Sequence, residues 1–263
     1  MLYQPHEIEI SQRYVRNVIS KLMEPTCILG GWAVYAIVNE NFRREHGRDY
    51  LGSRDIDLGF HIGKEWNRTR LEGSDLALAI KRLREMEFEY LSFRFVKHFH
   101  ADTRQELRGE DARKTPSYEM FDLFVDPVVD YIHPEAREVF GFVPIDEPLL
   151  ENMFMAQKYR IIELFGRRVL LPLTDVLLAI KLRSVRQRDK EHKRVKDIAD
   201  IYALSWYSDV QLKTLKTALT ALIPSQEIRV TLECFTKRDL DSVSNALDLE
   251  TQLIQRVLSE LRS

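Results

Sequence analysis

The stretch CILGGWAVYA, residues 27–36, decides the fold together with the stretch SRDIDLGF, residues 53–60. The first begins with apolar residues, turns through Gly30 and Gly31, and continues as a second apolar segment, which is typical of a strand followed by a helix. The second alternates polar and apolar residues, which predicts another strand. We therefore expect a mixed α/β fold in which a strand–turn–helix unit lies beside an acidic strand.

Asp55 and Asp57 are two residues apart on this acidic strand. Side chains at i and i+2 leave the same face of a strand about 7 Å apart, whereas Ile56 and Leu58 point towards the core. Carboxylate oxygens suit Mg²⁺, and two such ions roughly 3.5–4 Å apart can activate a hydroxyl and stabilise a leaving oxygen. The pair therefore predicts a site for two Mg²⁺ ions.

The turn at Gly30 and Gly31 has a matching property, because it lacks Cβ atoms. Backbone N–H groups at the start of the following helix can then approach a phosphate at the positive end of that helix. We expect a nucleoside triphosphate to bind between this turn and the metal site.

A Gly-Gly pair followed at a distance by Asp-x-Asp resembles the signature of the DNA polymerase β-like nucleotidyltransferase superfamily. The forms GGWA at residues 30–33 and SRDIDL at residues 53–58 are most similar to its antibiotic nucleotidyltransferases and AbiEii-type toxin relatives. The resemblance implies a nucleotidyltransferase-fold mixed sheet flanked by helices, with Asp55 and Asp57 as catalytic metal ligands and ATP or another triphosphate as substrate. Ser53 and Arg54 match a polar position and a basic neighbourhood that would hold phosphate oxygens.

The resemblance also implies a third acid on a neighbouring strand, which activates the incoming hydroxyl. The apolar stretch YEMFDLFVD, residues 118–126, supplies Asp122 and Asp126 on one face of a predicted strand. We expect Pro127 to end this strand and to leave Asp126 near solvent. We therefore prefer Asp122 as the third Mg²⁺ ligand or general base, with Asp126 as the alternative.

The second half of the chain changes character near residue 150, where strands give way to amphipathic stretches. We expect a nucleotidyltransferase domain over residues 1–150 and a helical domain over residues 151–263 that completes the active-site cleft. The segments AIKLR, residues 179–183, and RVKDIADIYAL, residues 194–204, resemble the lysine helix and the following acidic helix of AbiEii-type nucleotidyltransferases. This implies that Lys181 binds the triphosphate and stabilises the leaving pyrophosphate, and that Asp197 and Asp200 orient Lys181 or contact the nucleotide.

Composition sets bounds on the setting of this chemistry. The 263 residues are 44% hydrophobic and carry a formal net charge of −2, so no global basic field indicates nucleic-acid binding. Cys27 and Cys234 are far apart in sequence and fit no metal or redox spacing, which predicts reduced thiols in a cytoplasmic protein. The sequence contains no uninterrupted apolar span of membrane-crossing length, so we expect no membrane partner.

The acceptor of the nucleotide stays open at this point. One hypothesis is RNA in a toxin–antitoxin context, because basic side chains are dense over residues 181–196 and would contact backbone phosphates. An antitoxin protein would then be a partner. A second hypothesis is a small antibiotic-like molecule, whose positive charge acidic groups near the cleft would attract. A third is an inactive nucleotide- or partner-binding module, against which the retained acids argue.

Overall fold

The structure is a computed structural model that describes residues 2–262. Its strands, numbered along the chain, are β1 (Thr26–Ile28), β2 (Ile56–Phe60), β3 (Glu89–Leu91), β4 (Arg94–His100), β5 (Glu106–Leu107), β6 (Met120–Val129), β7 (Ile145–Asp146), β8 (Tyr159–Leu164) and β9 (Arg167–Pro172). They form one mixed sheet in the order β3-β4-β6-β2-β1-β9-β8, with β5 beside β4 and β7 beside β6.

Helices surround this sheet and make up the C-terminal part of the chain. Their bounds are α1 (Pro5–Lys21), α2 (Gly30–His46), α3 (Arg68–Glu72), α4 (Asp75–Glu85), α5 (Gly109–Lys114), α6 (Ala136–Phe140), α7 (Leu149–Met155), α8 (Thr174–Val185), α9 (Glu191–Tyr207), α10 (Leu212–Thr220), α11 (Ser225–Glu233), α12 (Lys237–Leu247) and α13 (Thr251–Arg262), with a 3-10 turn at Ser117–Glu119. The predicted class, a mixed α/β sheet flanked by helices and followed by a helical C-terminal part, is confirmed.

The expected end of β6 at Pro127 is wrong, because the strand continues to Val129. On one side, β6 pairs with β4 as far as Val125, and β7 takes over on that side at Val128. Pro127 lies between these two partners, so its missing N–H interrupts neither ladder. On the other side β6 runs parallel to β2, with Pro127 opposite Leu58.

The expectation that no strands follow residue 150 is also wrong. The hairpin of β8 and β9 joins the sheet through parallel pairing of β9 with β1, where Thr26 lies opposite Val169. β9 has a continuous buried run from Val169 to Pro172, which is typical of a strand covered on both faces. The division at residue 150 stays a prediction about domains.

The sheet and the C-terminal helices share one apolar core. Trp32 and Phe42 of α2 are buried in the same cluster as Leu182 of α8 and Tyr202 of α9. This packing fixes α8 and α9 beside the end of the sheet where β1 turns into α2. Within residues 2–262, no helix is both long and apolar enough to cross a lipid bilayer.

Candidate active site

A pocket of about 560 Å³ opens where β1 turns into α2. Its size lies within the range of about 300–1,000 Å³ that is usual for small-molecule sites. It is lined by side chains from β2, β6, α8 and α9 as well as by the turn itself. Seven of the residues that the sequence singled out lie on its wall: Gly30, Gly31, Ser53, Asp55, Asp57, Lys181 and Asp197.

The acids of the pocket come together through strand register. Asp57 of β2 lies directly opposite Asp126 of the parallel strand β6, and both line the pocket with Asp55. Neighbouring strands are about 4.8 Å apart, so two in-register carboxylates on one face are near neighbours. Asp126 also accepts hydrogen bonds from the Arg94 guanidinium through both carboxylate oxygens, with Nε at 2.9 Å from Oδ1.

The structure places Asp126, the alternative third acid, on the pocket wall and Asp122, the preferred one, away from it. Asp122 and Asp126 share a face of β6, but four residues of strand separate them by about 13 Å. Asp122 does not line the pocket, and its Oδ1 lies 2.7 Å from Nδ1 of His98 on β4. The side chain of Asp126 is only 6% exposed, because the strand continues past Pro127.

The His98–Asp122 pair predicts a pH-dependent stability. The hydrogen bond to Asp122 raises the pKa of His98, so the pair stabilises the fold below the unfolded-state pKa of about 6.5 and loses this effect as the pH rises through the folded-state value. We expect Asp122→Asn to lower the free energy of unfolding by about 0.2–1 kcal/mol at pH 5.5 and by less at pH 9. Denaturant unfolding at both pH values would check this, and an equal loss at both would contradict it.

Asp57 lacks a compensating partner. Among residues 2–262 its half-buried carboxylate makes no hydrogen bond or ion pair, although Asp55 and Asp126 flank it. Burial and the charge of Asp55 raise the pKa of Asp57. Burial and the charge of Asp57 raise the pKa of Asp126 to about 7, against the opposing effect of Arg94. The cluster therefore has less positive charge nearby than its ionised form requires.

These acids fit a hard divalent cation by their chemistry. Carboxylate oxygens are the donors that Mg²⁺ prefers, and the Asp57 carboxylate has no hydrogen-bond or ion-pair partner among residues 2–262. Within the described part of the chain, however, no three His, Cys, Asp or Glu side chains are already arranged as a metal site. Two of the carboxylates are engaged by cationic side chains, since Asp126 binds Arg94 and Asp55 Oδ2 lies 2.9 Å from Nζ of Lys193.

The double glycine makes room for this acidic cluster. Gly30 has a φ of +57°, and a Cβ atom there would lie 1.8 Å from Oδ2 of Asp57. A Cβ atom on Gly31 would lie 2.7 Å from Oγ of Ser53 and 3.4 Å from Nζ of Lys196. α2 begins at Gly30 with no acidic residue in its own first turn, and its positive end faces the pocket beside the Asp57 carboxylate.

Gly30→Ala is expected to damage both the backbone and the site. The left-handed conformation costs a non-glycine residue about 1–2 kcal/mol, and the new methyl group would displace the Asp57 carboxylate. We expect a lower free energy of unfolding by about that amount and weaker Mn²⁺ binding, measured by denaturant unfolding and by the electron paramagnetic resonance (EPR) of free Mn²⁺. Gly47→Ala serves as the control, because Gly47 has a similar φ but nothing within 4 Å of an added Cβ. Equal Mn²⁺ affinity in both variants would contradict the packing argument.

Lys181 lies at the centre of a buried charge network between α8 and α9. Its Nζ is 2.6 Å from Asp197 and 2.8 Å from Asp200, and the residue is 6% exposed. Burial alone would lower the pKa of Lys181, but the two carboxylates more than offset it and raise the pKa. Asp200 also binds Lys196 and accepts a hydrogen bond of 2.8 Å from the Tyr50 hydroxyl. Asp200 therefore orients Lys181 from beneath and does not line the pocket.

Arg54 is the third predicted site residue that lies away from the pocket wall. It pairs with Glu7 at 3.3 Å, and its guanidinium lies over the rings of Phe121 and Tyr3. Ser53 lines the pocket, and its hydroxyl donates a hydrogen bond of 3.0 Å to the backbone oxygen of Asp55. This hydrogen bond fixes the backbone conformation of the residues directly before β2.

Several pocket residues were missed by the sequence analysis. They are contributed by distant segments of the chain and include Tyr3, Arg94, Glu147, Arg188, Lys193 and Lys196. The density of basic residues over 181–196 was a signal for three of them, although it was interpreted as a nucleic-acid surface. Tyr3 and Arg94 stand in no motif.

Comparison with known proteins gives a distant structural similarity. No protein-family model and no curated protein sequence matches the chain. Among solved structures, the chain is similar to an antigenic nucleotidyltransferase-like protein from Paracoccidioides brasiliensis, at 17% sequence identity and a TM-score of 0.37 over 92% of this chain and 94% of that chain. A similarity of this degree supports no conclusion about function, which is inferred below from the pocket and its side chains.

Proposed function

We propose that the protein is an Mg²⁺-dependent nucleotidyltransferase that moves a nucleoside monophosphate from a nucleoside triphosphate to an acceptor hydroxyl. The observation that carries this proposal is the parallel register of β2 and β6, which sets Asp126 opposite Asp57 in a pocket that also contains Asp55 and the Gly30–Gly31 turn. A helix start whose own first turn has no acidic residue, beside three carboxylates that can hold metal ions, suits a triphosphate with its metal ions.

In this mechanism Asp55, Asp57 and Asp126 would hold Mg²⁺. When bound, Mg²⁺ supplies neutralisation of the triphosphate charge and activation of the acceptor oxygen. Backbone N–H groups at the start of α2 donate hydrogen bonds to phosphate oxygens, and Asp126 takes the proton of the acceptor hydroxyl. The acceptor oxygen forms a bond to the α-phosphorus, the bond from that phosphorus to the bridging oxygen breaks, and pyrophosphate leaves towards the positive charge of Lys181 and its neighbours.

For the acceptor, the basic segment favours a small molecule over RNA. Arg188 lies 2.6 Å from Asp197, Lys193 2.9 Å from Asp55, and Arg194 3.1 Å from Asp239, so these cations are engaged within the protein. Arg186 is exposed without an ion pair in the described residues. Lys190 is likewise exposed without an ion pair among residues 2–262, and two unpaired cations are a weak basis for binding a phosphate backbone. RNA modification in a toxin–antitoxin context remains the competing proposal, with an antitoxin as its partner.

Labelled nucleoside triphosphates test the proposal. The purified protein is incubated with Mg²⁺ and each α-³²P-labelled triphosphate, together with either total RNA or a small-molecule extract, and the products are separated by size. We expect label in a low-molecular-weight product and release of pyrophosphate, both absent from Asp57→Asn. Label in RNA instead would support the competing acceptor. A parent protein that binds no triphosphate and releases no pyrophosphate with any acceptor pool would overturn the enzyme assignment.

A further inference from the structure

The Lys193–Asp55 pair is an ion pair of the pocket in which a lysine engages one of the proposed metal ligands. Lys193 reaches Asp55 through one contact of 2.9 Å, and the two side chains are 29% and 20% exposed. A lysine ammonium is a compact charge on a flexible stem, and a singly bonded pair that water reaches is held weakly. Asp55 is at the same time one of the proposed metal ligands. Lys193 therefore occupies a position that a metal ion needs.

Arg94 engages the same acidic cluster in a different way. Its guanidinium makes two hydrogen bonds to Asp126 and lies over the Phe124 ring at 4.3 Å, which fixes its plane. A carboxylate offers about four lone-pair sites, so two hydrogen bonds leave room on Asp126 for a metal ion. Arg94 can stay in place as a positioning residue when the metal binds. Lys193 makes one hydrogen bond to Asp55 and has no comparable support, so a metal ion displaces it more easily than Arg94.

The remaining cations of the pocket are bound to acids outside the proposed metal ligands. Lys181 and Arg188 bind Asp197, and Arg183 lies 3.5 Å from Glu147. Lys196 is 5% exposed and bound to Asp200. These four therefore keep their partners whether or not the carboxylates of Asp55, Asp57 and Asp126 take up a metal.

We propose that Lys193 is an exchangeable counterion, which neutralises Asp55 in the empty pocket and transfers to a phosphate oxygen when a triphosphate enters with its metal. The inference rests on the proposed function. A metal ion alone competes with the Lys193 ammonium for Asp55 and gives the ammonium no new partner, whereas a triphosphate supplies a charge-assisted acceptor. Metal and triphosphate should therefore tighten the binding of each other, and this coupling is reciprocal.

Direct binding measurements test whether Lys193 acts as the counterion of Asp55. The Mn²⁺ affinity is measured without any anion by the EPR signal of free Mn²⁺, and the affinity for preformed Mn²⁺–tripolyphosphate is measured by calorimetry. Lys193→Gln should bind Mn²⁺ alone more tightly than the parent, and Mn²⁺–tripolyphosphate more weakly, each by about 5- to 150-fold. Lys193→Arg, which keeps the charge, should behave as the parent does.

Lys190→Gln is the matched control. Lys190 is exposed, lies one turn before Lys193, and has no ion pair among residues 2–262, so its loss changes the net charge equally without freeing Asp55. We expect it to leave both affinities unchanged. Equal Mn²⁺ affinity of the parent and Lys193→Gln, or an equal gain in Lys190→Gln, would overturn the counterion role. Failure of the parent to bind Mn²⁺–tripolyphosphate would instead count against the proposed function.

Discussion

Asp57→Asn is expected to lower nucleotide transfer by at least about 10²- to 10³-fold, the loss seen when a group that stabilises developing charge is removed. The amide keeps the size of the carboxylate but not its charge, and Asp57 is the member of the cluster with no donor of its own among residues 2–262. The size of this loss is obtained from initial rates of pyrophosphate release, measured with the acceptor that the labelling experiment identifies.

The stability of the same variant should change in the opposite direction. Burial and the neighbouring Asp55 disfavour the ionised Asp57, as its raised pKa indicates, so a neutral amide removes a repulsion. In EDTA at pH 8 we expect the melting temperature of Asp57→Asn to equal or exceed that of the parent. A variant that is both inactive and clearly less stable would assign Asp57 to folding, and one with parental turnover would remove it from the metal cluster.

A pair of substitutions on one strand gives the second large effect. Asp126→Asn should reduce transfer and Mn²⁺ affinity about as strongly as Asp57→Asn, because it removes the carboxylate opposite Asp57. Asp122→Asn should leave both within about twofold of the parent at pH 8, since its side chain binds His98 outside the pocket. The measurements are the rate of pyrophosphate release and the EPR signal of free Mn²⁺.

The loss of the Arg94–Asp126 ion pair in Asp126→Asn requires a control of its own. Asp126→Asn leaves the guanidinium of Arg94 without its charged partner, and that alone can lower stability. Both variants are therefore compared well below their melting temperatures, and Arg94→Gln shows the effect of losing the pair while Asp126 stays ionisable. A full loss of transfer in Asp122→Asn with parental activity in Asp126→Asn would show that Asp122 is the third acid.

Local patterns in the sequence were sufficient for the scaffold of the site. The Gly-Gly turn, the acidic strand and the helix that contains Lys181 each depend on residues within one short window. Gly30, Gly31, Asp55 and Asp57 line one pocket together with Lys181, whose place in the cleft was implied by the family resemblance. Their roles in catalysis remain predictions.

The third acid could not be chosen in the same way, because it depends on register between two strands that are far apart in sequence. A proline inside a strand usually marks an edge or an end, and this rule argued for Asp122. In the structure, β4 and β7 share the edge of β6 that Pro127 faces, and Asp126 stays buried opposite Asp57. Arg94 and Lys193 likewise acquire their contacts only when β4 pairs with β6 and α9 packs beside Asp55.

The short strand β1 has a consequence for how the chain can be divided. β1 is three residues long and is flanked by β2 on one side and by β9, which follows residue 150, on the other. A fragment ending at residue 150 would leave β1 as an open sheet edge directly before Gly30. Unpaired backbone groups at such an edge promote association between molecules, so the isolated N-terminal half would tend to aggregate at the very turn proposed to receive phosphate. The smallest unit worth expressing for enzymology therefore retains the β8–β9 hairpin.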